Sequence, residues 1–182
     1  GEVLDAYRFA RHRKLLDLGG GDGSFLIAAA ARAPQLQLGL FDLPSVAMAA
    51  RQRLTAAGLA ARAEVFAGDM RRDPIPAGAD LITLIRILHD HDDAAAEAIL
   101  RQAHRALAPG GTLLVAEPMA QTRGGGRVAA YFGFYLLAMG SGRPRQVGEI
   151  AAMLRGAGFG AVREARTGTP MLVRVLLARR SA

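Results

Sequence analysis

The densest chemical signal in the chain is the run Leu15-Leu16-Asp17-Leu18-Gly19-Gly20-Gly21-Asp22-Gly23-Ser24. An apolar segment enters four closely spaced glycines and leaves into an alanine-rich stretch ending near Arg32. Glycine reaches positive φ without steric cost and has no Cβ, so the turn can be tight and let a ligand lie against bare backbone. Asp17, Gly19, Gly21 and Gly23 are the positions that would shape such a nucleotide-type cradle. A dinucleotide fingerprint needs a further glycine after two intervening residues, and here that position is Ser24. The plain alternative, a connection that binds nothing, gives no reason for four glycines that each lose extra entropy on ordering.

Three more groups of residues extend the chemistry. Asp42, with Leu43 beside it, stands nineteen positions after Gly23, where a carboxylate can accept from both hydroxyls of a ribose. It can equally cap a helix that starts at Pro44. Asp69 and Met70 offer a carboxylate for an exocyclic amine and a thioether for a ring face, although Gly68-Asp69 is also an ordinary turn signal. His89-Asp90-His91-Asp92-Asp93 supplies an imidazole that can take a proton, and Glu117 a carboxylate that can fix its tautomer. A histidine at a strand end can also be purely structural. The same cluster permits a metal, but Asp92 and Asp93 read better as the cap and first-turn acids of a helix. No metal site is expected.

Strands expected at residues 14–18, 36–41, 63–67, 80–88 and 112–116 alternate with helices at 25–33, from Pro44 to Gly58, and from the acidic cluster to residue 108. Pro109-Gly110-Gly111 ends the last of these. Alternation of this kind predicts an α/β fold: a Rossmann-like, mostly parallel seven-stranded sheet, with ligands at the carboxyl ends of the strands. A helix at 147–154 follows, and strands near 161–165 and 171–178 close the chain as an antiparallel hairpin. Residues 121–127 hold three consecutive glycines and are expected to form a loop.

At 182 residues and 51% hydrophobic composition, the chain can bury a full core as one domain over residues 14–182. Residues 1–13 read as a lead-in from a preceding domain. The most apolar stretch, 128–139, is well short of the ~20 residues that cross a bilayer, so at most peripheral membrane contact is expected. Without cysteine there is no disulfide, thiolate nucleophile or Cys-type zinc site, which suits a cytoplasmic location. The formal charge of +7 comes from arginines spread through every segment, with Lys14 the single lysine. It therefore marks compositional bias and not a nucleic-acid stripe.

With these residues assembled, the chain resembles the catalytic domain of the S-adenosylmethionine-dependent small-molecule O-methyltransferases of the caffeic acid and hydroxyindole type. The resemblance is carried by Leu-Asp-Leu-Gly-Gly-Gly-Asp-Gly, Phe41-Asp42-Leu43-Pro44, Gly68-Asp69-Met70, Arg86-x-Leu88-His89-Asp90 and Ala116-Glu117-Pro118. It implies S-adenosylmethionine as cofactor, His89 as general base, Glu117 as its partner, Arg86 near the cofactor, no metal, and a homodimer formed through an N-terminal domain. Methyl transfer to an alcohol is an in-line displacement, so alignment and removal of the hydroxyl proton are what the protein must provide. Two positions depart from the pattern: His91 stands where tryptophan is common, and Pro144 where a second glutamate flanks the base. That glutamate's absence predicts a less firmly held imidazole.

Residues 130–140, followed by Gly142-Arg143-Pro144-Arg145, resemble the branch of the family that methylates the C-1 hydroxyl of acyclic carotenoids. Four of the chain's ten aromatic residues lie between Tyr131 and Tyr135, and core, a dimer partner, an upstream domain or a polyene are the candidates for covering them. The implied partner is a small apolar acceptor. Other metabolite hydroxyls, a nucleic-acid base and nicotinamide chemistry on the same fold are the competing expectations.

Overall fold

The computed structural model describes residues 1–120 and 142–181. The glycine loop expected at 121–127 and the aromatic cluster at 131–135 lie outside the described residues. In chain order the elements are α1 (Glu2–Ala6), β1 (Lys14–Leu18), α2 (Ser24–Arg32), β2 (Gln37–Asp42), α3 (Pro44–Ala56), β3 (Ala63–Ala67) and β4 (Ala79–Ile85). They continue with α4 (Asp93–Ala106), β5 (Leu107–Glu117), α5 (Val147–Gly156), β6 (Gly160–Ala165) and β7 (Arg174–Arg179).

The apolar runs pair as a seven-stranded sheet in the order β3-β2-β1-β4-β5-β7-β6. β1 to β5 run parallel, and β7 is antiparallel to both β5 and β6. Side chains alternate across the sheet. Leu16, Leu18, Ile82, Leu84, Leu113 and Val115 pack with α4 and α5, while Leu15, Leu81, Leu114 and Ala116 pack with α2 and α3. Each such leucine is worth about 1.5–3 kcal/mol of burial, and both faces are covered, which is why the central strands are apolar at nearly every position. Leu4 and Phe9 join the α2 side of this core, and Phe9 meets Phe25 edge-on at 5.7 Å. Residues 1–13 thus fold onto the sheet domain.

Three boundaries differ from the sequence reading. β4 ends at Ile85, not at residue 88, because Arg86 turns into the left-handed region (φ 59°) and the next two amides leave the ladder. β5 begins at Leu107, and Pro109-Gly110-Gly111 is absorbed within it: Leu107 pairs with Ala79 and Thr112 with Leu81, so the residues between form a bulge, with Gly110 at φ 72°. β7 starts at Arg174, since the amides of Leu172 and Val173 close a turn on the Thr169 carbonyl. Among the described residues, no helix is long and apolar enough to cross a membrane.

Candidate active site

Parallel order brings the tips of β1, β2 and β3 together at one edge. Gly19, Gly21 and Gly23 all have positive φ, at 70°, 58° and 81°. A Cβ on Gly19 would collide with the Ile87 side chain and lie 3.2 Å from Met70 Cε, whereas a Cβ on Gly21 would meet nothing within 4 Å. The space over Gly21 is therefore open to a ligand, beside the N-terminus of α2 at Gly23. Asp42 faces it: its Oδ2 accepts from the Gly21 N–H at 2.9 Å and its Oδ1 from the Leu43 N–H at 2.7 Å. Asp42 is not the cap of α3. That position belongs to Leu43, and no side chain caps the helix.

The Gly68 N–H donates to the Asp42 carbonyl at 2.9 Å, placing Asp69 and Met70 on the same edge. For Asp69 the turn reading holds. Its carbonyl closes a turn with the amides of Arg72 and Asp73, while Arg71 grips its carboxylate through Nε (3.0 Å) and Nη2 (2.7 Å). Those bonds hold the Asp69 carboxyl down to about 2, so it stays ionised, able to accept from an amine that shares it with Arg71. Leu43 is half exposed at the rim. Asp17 lies beneath the turn: it is buried, its Oδ1 accepts from Thr83 Oγ1 at 2.5 Å, and a Cβ on Gly20 would lie 2.8 Å from its Oδ2. Burial, aided by the Asp42 charge and opposed by Thr83, pushes the Asp17 carboxyl up to about 7. It supports the glycine loop from below. These groups fit a ribonucleoside cofactor: open backbone for close approach, a carboxylate beside it, and a second ionised carboxylate one strand further on.

At the next two strand tips the chemistry is buried. Glu117 is 2% exposed and His89 5% exposed. Glu117 Oε1 accepts from the amides of Ile87 (2.9 Å) and Leu88 (2.7 Å), and its Oε2 lies 2.5 Å from His89 Nδ1. A carboxylate only accepts, so Nδ1 donates to Glu117, which leaves Nε2 as the nitrogen that can take up or release a proton. Nε2 is 3.1 Å from Asp90 Oδ1, where a newly protonated imidazole meets negative charge. The left-handed turn at Arg86, whose N–H donates to the Ala116 carbonyl at 2.8 Å, makes this possible: it rotates the two following amides toward Glu117. A non-glycine residue in that region costs about 1–2 kcal/mol, offset here by the carboxylate the turn satisfies. Arg86 itself is exposed at the edge of the site.

Asp92 caps α4 by accepting from the Ala95 N–H at 2.8 Å, and Asp93 in its first turn pairs with Arg143 and Arg145. Among the described residues no three His, Asp or Glu side chains converge as a metal would need. Burial, with the Arg71 guanidinium, pushes His91 down. Sequence reasoning missed four contributors: Thr83, Arg71, Asp90 as a neighbour of Nε2, and Arg145. Asp90, adjacent to His89, and Arg71, two residues from Asp69, carried a local signal; Thr83 and Arg145 carried none.

A Rossmann-like sheet thus carries a glycine cradle at one set of strand tips and a carboxylate-backed imidazole at the next, an arrangement that fits a nucleoside-type cofactor. The model of the O-methyltransferase domain matches residues 1–160, and the chain belongs to that family. It is similar to the demethylspheroidene O-methyltransferase of Cereibacter sphaeroides, 47% identical over 155 residues covering 83% of this chain and 40% of the relative. Among solved structures it resembles a mitomycin 7-O-methyltransferase (TM-score 0.91, 35% identity, 98% of this chain and 52% of that one). It also resembles human N-acetylserotonin methyltransferase in complex with SAM (TM-score 0.86, 28% identity, 99% and 51%). The chain thus spans about half the length, or less, of the proteins it matches.

Proposed function

We propose that this domain transfers a methyl group from S-adenosylmethionine to a hydroxyl of a small apolar acceptor, with His89 as general base and Glu117 as the group that orients it. The observation that carries the reading is the buried Glu117–His89 pair one strand away from an open glycine cradle. When bound, S-adenosylmethionine supplies an electrophilic methyl on a sulfonium. The Gly19–Gly23 loop and Asp42 would hold the sugar end, and Asp69 and Met70 the base end. Leu43 and Arg86 would form the rim. His89 Nε2 accepts the hydroxyl proton as the oxygen attacks, and Asp90 and Glu117 then stabilise the imidazolium from either side.

The similarity to a demethylspheroidene O-methyltransferase supports an acyclic carotenoid carrying a C-1 hydroxyl as acceptor. The same proposal includes a cytoplasmic protein in peripheral contact with the inner membrane surface, where so apolar an acceptor would reside. It also includes a homodimer formed through a domain outside these residues. The test is incubation of the protein with methyl-labelled S-adenosylmethionine and either a 1-hydroxy acyclic carotenoid or a phenol. The expected product is the labelled carotenoid methyl ether. His89→Ala should lower turnover by about 10²- to 10⁴-fold while cofactor affinity holds. Label on the phenol alone would replace the acceptor class, and no cofactor binding by calorimetry would overturn the reading.

A further inference from the structure

We propose that Arg145 is the positioning residue for the base, tying together the two chain segments that carry His89 and Glu117; this rests on the function proposed above. Arg145 is 2% exposed although its side chain is charged. Its Nη1 donates to the Leu88 carbonyl at 2.6 Å and its Nη2 to the His91 carbonyl at 2.8 Å, so one guanidinium holds the main chain on both sides of His89. Nε and Nη2 donate to Asp93 Oδ1 at 3.0 and 2.7 Å, which anchors the group to the first turn of α4 and balances its charge. The main chain of the same residue reaches the other half of the pair: the Arg145 carbonyl accepts from the N–H of Ala120, three positions after Glu117, at 2.9 Å. Gly142, at φ 90°, lies flat against the carbonyl of His89 and the backbone of Asp90, so close that a Cβ would collide with both.

Residues 142–145 therefore back the His89 turn along its length. The sequence expectation of a loosely held imidazole, drawn from Pro144, took account of carboxylates only. The support here comes from a planar fork with donors at three nitrogens, a geometry that a lysine's single ammonium cannot reproduce. Arg143 is different: it pairs with Asp93 and Glu149 on the exposed side and touches neither carbonyl.

The test compares Arg145→Lys, Asp93→Asn and Arg143→Lys with the wild type. In Arg145→Lys, kcat should fall between about 10- and 100-fold while KM for S-adenosylmethionine stays within about twofold, because geometry at the base is lost and not the cofactor site. The downfield proton resonance of His89 Nδ1–H on Glu117, identified by its loss in His89→Ala, should move upfield or broaden. Asp93→Asn leaves Arg145 its two carbonyls and should lower kcat about threefold. Arg143→Lys should match the wild type. Arg145→Lys with kcat within about twofold of wild type and an unmoved resonance overturns the proposal. If that variant does not fold, an unmoved resonance and unchanged kcat in Asp93→Asn do the same. The resonance needs no acceptor, so it decides the role of Arg145 even if the acceptor, or the reaction, proves to be another.

Discussion

At the tips of β1 to β3, the polar groups above the sheet are partly exposed, and several are held by near neighbours in the chain. Asp69 is gripped by Arg71 two residues on, Asp42 accepts from the amide next to it, and Asp22 accepts from Ser24. At the tips of β4 and β5 the polar groups are buried, and their partners come from far away. Glu117 meets His89 across 28 positions and Ile87 across 30, and Arg145 reaches Leu88 across 57. The first region leaves backbone open at Gly21, and the second is a closed network whose hydrogen bonds are already made. Within the first region charge divides by depth: Arg71 keeps the exposed-side Asp69 carboxyl near 2, whereas burial lifts that of Asp17, under the loop, to about 7. Damage to the open region should therefore cost affinity, and damage to the closed one turnover.

Glu117→Gln should break the comparison most sharply if it is wrong. The glutamine carbonyl can still accept from Ile87 and Leu88, but its NH₂ would face His89 Nδ1 and move the ring hydrogen to Nε2, removing the lone pair that the proposed reaction uses. Turnover should fall about 10²- to 10⁴-fold with cofactor affinity intact; steady-state kinetics beside calorimetry would show the split, and loss of affinity instead would contradict it. Gly19→Ala tests the other side. Its Cβ would strike Ile87 at a φ of 70°, so cofactor affinity should weaken about tenfold and the melting temperature drop, with kcat at saturating cofactor changed far less.

Asp17 is tested through stability and not through turnover. Its carboxyl titrates near 7 in the folded protein against an ordinary 3.8, so folding favours its protonated form. That contribution is fully present below about pH 4 and is lost as pH rises through about 7. Thermal melts of cofactor-free protein should show Asp17→Asn gaining on the wild type between pH 5 and pH 8. A constant difference across that range would mean the carboxyl does not titrate there.

The glycine turn was legible in the sequence because its geometry is written in short-range spacing: four glycines in five positions, then single acids at strand ends. Strand existence was legible from apolar runs, but strand ends were not. The run through Arg86 to Leu88 is apolar enough to continue β4, and what stops it is a carboxylate 29 or 30 positions away that takes the amides. In the same way, Pro109-Gly110-Gly111 reads as a break, and only pairing on both sides of it makes it a bulge.

By itself, then, the sequence determined the fold class and the strand ends at which its glycines, acids and histidine fall, since each depends on residue type and local period. Tertiary structure alone decided that Asp42 bonds the glycine loop instead of capping α3, that Asp17 is buried beneath that loop, and that Arg145 closes on the carbonyls around His89. Such contacts join positions with no fixed spacing, and their strength comes from burial and geometry that exist only once both faces of the sheet are covered.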